Sequence, residues 1–187
     1  MLDKLFRQRP AKAFGARLYA AAVAQARSPA FYSDLGVPDE IDARFELYVV
    51  HVVLLQQRLA GHGAAAAETA QALFDAFIQA LDDSLRELGV GDLSVSKKMR
   101  RLGEALFGRA TAYRDLLAGP DREGITGLIA RTVYGDEAAL ERAAPLADYV
   151  IRAHAALALE PLPALLQGQV VWPEAEVLSA PVVGAVR

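Results

Sequence analysis

The segment from Ile41 to Leu59 constrains the fold most. Ile41, Phe45, Tyr48, Val52, Leu55 and Leu59 follow one another at steps of 4, 3, 4, 3 and 4 residues, which keeps one apolar stripe on a single helix face. Leu47, Val49, Val50, Val53 and Leu54 make the middle of the same segment apolar all round. A helix of that kind lies at the centre of a core or covers a concave apolar surface. Its longest apolar run, Leu47 to Leu55, is interrupted by His51 and falls well short of the roughly 20 residues that cross a bilayer. An Asp39 N-cap with Glu40 and Asp42 in the first turn opens this helix, and Gly61-His62-Gly63 closes it.

The rest of the chain repeats the helical theme. Alanine supplies 37 of the 187 residues; it is the best helix former and is depleted from strands. A helix is predicted over about residues 11–26, ended by Ser28-Pro29. An apolar loop from Ala30 to Pro38 follows, with Phe31, Tyr32 and Val37 expected to pack beneath its neighbours. A third helix runs over about 66–88, and a fourth carries Val95, Met99, Leu102, Leu106 and Tyr113 inward. Gly103 and Gly108 within the fourth point to close helix contact or a local break. Asp121 caps a short helix, Asp136 opens the last long one, and Pro145 predicts a kink or a later start there. Beyond Glu160, Pro161, Pro163, Pro173 and Pro181 exclude continued helix, so the first part of that tail is expected to dock as an extended strap. The expected fold is all-α: a single compact domain of about six helices with an extended, proline-containing C-terminal tail. Its limits are a basic N-terminal tail over 1–12, a helical domain over 13–160 and the strap over 161–187.

Catalytic constellations are sparse. The chain has no cysteine, which excludes disulfides, thiolate metal sites and cysteine nucleophiles. His51, His62 and His154 show no His-x-x-x-His or Glu-x-x-His spacing, so no metal site and no cofactor is expected. His51 and His154 read as core histidines. Asp82-Asp83-Ser84-Leu85-Arg86 lacks the third carboxylate of the magnesium-holding motif of helical prenyl-diphosphate enzymes, leaving an enzyme of that kind a weak third reading. Gly89-Val90-Gly91 precedes no Lys-Ser/Thr, so it is a helix-to-helix turn rather than a phosphate loop. A net charge of −3 argues against a general nucleic-acid coat, and nothing points to specific DNA. The run Lys97-Lys98-Met99-Arg100-Arg101, with Arg109 further along, is the exception. Its cations spread over an outward helix surface that could meet RNA or lipid phosphate, or pair with acids nearby.

Several separated segments resemble one family. Tyr19-x-x-x-Val23-x-Gln25-Ala26-Arg27-x-Pro29-x-Phe31-Tyr32 followed by Gly36-Val37-Pro38-Asp39 is similar to the ubiquinol–cytochrome c chaperone family. So are Arg44-Phe45 with His51, Gln71-x-Leu73-Phe74-Asp75-x-Phe77, Leu85 to Lys97, and Phe107-Gly108-Arg109 with Ala112-Tyr113. The resemblance implies an all-α, non-enzymatic assembly factor for respiratory complex III that receives newly made cytochrome b. It also implies work with a smaller partner protein and contact with the ribosome. The alanine- and arginine-rich composition looks bacterial, and no presequence or membrane anchor is read, so the expected place is the bacterial cytoplasm, peripheral to the inner membrane. For such a chaperone the candidate client contacts are Phe31, Tyr32, Val37, Phe74 and Phe77. Lys97, Lys98, Arg100, Arg101 and Arg109 are the candidate electrostatic contact with ribosome, anionic membrane or an acidic partner. A lipid- or quinone-binding helical protein serving quinone metabolism is the alternative reading of the same apolar surplus.

Overall fold

The computed structural model describes residues 2–87, 92–119 and 121–176. Among them the chain forms helices only: α1 (Leu2–Ala26), α2 (Pro29–Ser33), α3 (Ile41–Leu59), α4 (Ala64–Glu87), α5 (Asp92–Ala118), α6 (Arg122–Thr132), α7 (Leu140–Leu159) and α8 (Leu162–Leu165). Six are long and correspond to the six expected from periodicity; α2 and α8 are single turns. No helix among the described residues is long and apolar enough to cross a membrane.

The all-round apolar middle of α3 is explained by its position. It packs against α1, α4, α5 and α7, and Leu47, Val49, Val50, Val52, Val53, Leu54 and Leu55 are all buried. Each such side chain contributes roughly 1.5–3 kcal/mol relative to exposure, so α3 is the post around which the other helices are set. The stripe is open at its first member, Ile41, which is 73% exposed, and Phe45 and Tyr48 are only half-buried.

Helix ends depart from the expected caps in informative ways. The N-cap of α3 is Glu40 and makes no side-chain cap bond, since Asp39 instead holds Arg44. Asp121 does cap α6, accepting from Gly124 N at 2.9 Å. Asp136 caps the turn before α7, accepting from Ala138 N at 2.8 Å, and the helix proper begins four residues later. α1 begins at Leu2, within the segment read as a tail, and passes through Pro10. The loop expected after Pro29 contains the turn of α2, which the proline at its start favours. Gly103 and Gly108 mark neither a break nor a close contact: α5 is continuous and a Cβ at either would meet nothing within 4 Å. The predicted turn at Gly89-Val90-Gly91 lies outside the described residues.

Close approach is found elsewhere. A Cβ on Gly15 would stand 2.5 Å from backbone atoms of Ala72 and Leu73, so α1 and α4 cross with their backbones almost touching. At Gly168, φ is +76° and a Cβ would meet Arg17 Cβ at 2.7 Å. There the chain leaves α8 and turns along α1, and only glycine has both the conformation and the room.

Candidate functional site

The half-open surface most suited to binding is built where α1, α2 and α3 meet. Pro29 ends α1 and starts α2 one turn later, which sets Tyr32 beside the end of α1. Its hydroxyl donates to Ala26 O at 3.0 Å, and the Arg44 guanidinium lies 5.2 Å from its ring centre. One turn further along α3, Tyr48 OH accepts from Arg27 Nε at 3.0 Å, with Arg27 also close to the Tyr48 ring. Burial pushes the Tyr32 hydroxyl above its ordinary pKa, while Arg44 and Arg27 pull it back. Tyr19 is likewise raised by burial, with Tyr48 adding to the rise. Phe45 stacks on Phe77 at 6.2 Å and Tyr19 lies against the same ring at 5.9 Å.

Tyr19, Tyr32, Phe45 and Tyr48 are all half-buried, so each keeps part of its ring available. The row offers broad apolar area with polar edges, and its two arginines add cationic and multiple-donor contacts. Such a surface suits an apolar segment with polar or carbonyl groups at its margin. Sequence reading took Phe45 and Tyr48 as inward stripe residues and assigned no role to Arg27 or Arg44. The signal was present in the i, i+4 spacing of Arg44 and Tyr48.

Of the expected client contacts, the structure places Tyr32 on this surface and Phe74 on another. Phe74, 36% exposed, edges an open hollow of about 450 Å³ between the end of α3 and the start of α4, with Gln56, Leu59, Ala67 and Gln71. Phe31, Val37 and Phe77 are buried, which removes them from the accessible surface in this conformation. Phe31 is edge-on to Tyr149 at 4.8 Å and to His51 at 5.6 Å. Its apolar loop is core because α2 turns it inward.

The basic run divides. Lys97, Lys98, Arg100 and Arg101 are exposed on α5, with Arg100 3.5 Å from Glu104. Arg109 is instead drawn into the fold, its Nε and Nη2 each 3.0 Å from the two carboxylate oxygens of Glu46. Glu46 is buried at 7% exposure; desolvation raises its pKa and Arg109 opposes that rise. The pair ties α3 to α5, so Arg109 is a fold contact and not part of the outward patch. Arg86 pairs with Asp82 at 2.6 Å, and no group of three metal-ligating side chains occurs among the described residues.

His51 lies at the centre of the core, fully buried. Its Nδ1 is 2.7 Å from Leu47 O, which can only accept, so Nδ1 carries the proton. Nε2 then accepts from Tyr149 OH at 2.8 Å, and Tyr149 OH accepts from Gln25 Nε2 at 3.1 Å. Gln25 Nε2 also donates to Pro173 O at 3.0 Å. The relay joins α3, α7, α1 and the C-terminal strap, and desolvation lowers the His51 pKa to about 4. The imidazole stays neutral and fully hydrogen-bonded, a structural centre rather than an acid–base group.

The model of the ubiquinol-cytochrome C chaperone family matches residues 33–172. Among solved structures, the crystal structure of the Cbp3 homolog from Brucella abortus is similar at 32% identity and a TM-score of 0.82. The match covers 94% of this chain and 98% of that one. No curated protein sequence matches the chain.

Proposed function

The chain belongs to the ubiquinol-cytochrome c chaperone family, and from that premise we propose that it binds newly made cytochrome b during assembly of ubiquinol–cytochrome c reductase. The observation that carries this reading is the row of half-buried aromatics bracketed by Arg27 and Arg44. A chaperone for a hydrophobic membrane protein needs apolar area that can adapt, with a polar margin that lets the client go. The work requires no bond to be made or broken, in keeping with a fold whose central histidine is held neutral among core side chains.

The hollow beside Phe74 extends the same reading. It is open and has glutamines at its edge, which suits a protein segment better than an enclosed lipid or quinone. The exposed cations of α5 suit a phosphate-bearing surface near the site of membrane-protein synthesis, either the ribosome or the anionic face of the membrane. Deleting the gene tests the reading. Cytochrome b and assembled ubiquinol–cytochrome c reductase should fall while the other respiratory complexes persist, and normal cytochrome b levels would contradict it.

A further inference from the structure

The C-terminal strap occupies a groove that the helices leave open. α1 and α7 each pack against α3 but scarcely against each other, and residues 169–176, which are neither helix nor strand, lie over the gap. The strap turns at Gly168 against Arg17 and reaches Gln25 with the Pro173 carbonyl. Five residues of chain reach at most about 17 Å at about 3.3 Å each, more than the roughly 12 Å of the eight helical residues between those points at about 1.5 Å each, so the strap runs along α1 in the same direction. Trp172 sits edge-on to the His51 ring at 4.9 Å and Ala175 is buried, while Val171 points out at 71% exposure.

The seat is specific in kind yet incompletely satisfied. Backbone carbonyls of the strap accept from Gln25, and from Arg152 Nη2 at 3.3 Å to both Glu174 O and Glu176 O. Among the described residues, Trp172 Nε1 and Arg152 Nη1 are buried without an acceptor, and a buried donor left unpaired is costly. The groove therefore recognises an extended backbone through its carbonyls and a large aromatic side chain through His51. Its present occupant leaves Arg152 Nη1, a donor of the groove itself, for a better one to use.

We propose that this groove is a second client site, held by the chain's own strap until an extended, apolar, aromatic-bearing segment of the client displaces it. This rests on the client reading above and adds a place and a competitor to it. Strap and client share one seat, so weakening the strap strengthens capture, because apparent affinity scales with the fraction of open grooves.

Spin labels can be placed cleanly because the chain has no cysteine. Cysteines introduced at the exposed Val171 and the half-buried Glu68 report the strap-to-α4 distance in the full-length protein. The free protein should give one narrow distance, and the complex with newly made cytochrome b a broad and longer distribution. Trp172→Ala should broaden the distance without client and raise the cytochrome b captured roughly tenfold. Ala175→Asp, which places a charge on the buried face of the strap and leaves every groove side chain in place, should act in the same direction and covers the case in which Trp172→Ala misfolds. A purely structural strap would instead give weaker capture in both variants. An unchanged distance in a cytochrome b complex overturns the displacement and leaves the client reading standing. Failure of every form to capture cytochrome b overturns the client reading itself and the proposed occupant with it.

Discussion

At the scale of single residues, His51 shows how the fold tolerates a polar group at its centre. All three members of the relay, His51, Tyr149 and Gln25, exchange water for protein partners, so burial costs little as long as the imidazole is neutral. Protonation is another matter. With the folded pKa near 4 and an unfolded value near 6.5, the unfolded chain binds the proton more readily between those values. Stability contributed by the neutral form is complete above about pH 6.5 and is lost as pH falls toward 4, by about 3 kcal/mol in all. Urea unfolding of wild type and His51→Gln at intervals from pH 7.5 to 4 should show this slope flattened in the variant; parallel curves would contradict it. His154, half-buried and shifted the same way, contributes equally to both. The sequence marked His51 as a core histidine from its apolar setting. It held no sign of Tyr149, since a partner 98 positions away has no periodic signature.

At the scale of elements, six helices could be read from spacing because each buries a continuous face. What could not be read was which ends remain uncovered. Ile41, Leu140 and Phe74 fit their stripes yet are exposed, and Phe31 lies in an apparent loop yet is core. Glycines misled in a related way: Gly103 and Gly108 drew notice inside α5, whereas the crossing that needs glycine is Gly15 against Ala72. Gly15→Ala should force α1 and α4 apart and cost about 1–3 kcal/mol, seen as a lowered urea midpoint. Gly108→Ala on the open face of α5 should be neutral or slightly stabilising, and equal effects at the two positions would refute the crossing argument. The exposed cations of α5 allow the opposite kind of test. Reversing charge at Lys98 and Arg101 together should weaken binding to ribosomes or anionic vesicles and reduce its salt dependence without changing the urea midpoint. Binding that is unchanged across a salt series would remove the patch from the account.

At the scale of the whole molecule, α3 serves as a common post, and the proposed binding surfaces are what its neighbouring helices fail to cover: the Tyr32–Tyr48 row, the Phe74 hollow and the strap groove. Their composition was legible in the sequence as an apolar surplus with no cofactor or nucleophile to explain it. Their location was not, because it depends on long-range packing, and the family resemblance supplied the client that the residues alone do not name. The central claim is that the aromatic–arginine row meets newly made cytochrome b. Photoreactive residues placed at Tyr32, Phe74 and, as a control, the exposed Arg131 on α6 test this directly in cells pulse-labelled during respiratory growth. The account predicts labelled cytochrome b crosslinked from positions 32 and 74 and not from 131; no cytochrome b at 32, or the same yield from all three positions, would contradict it.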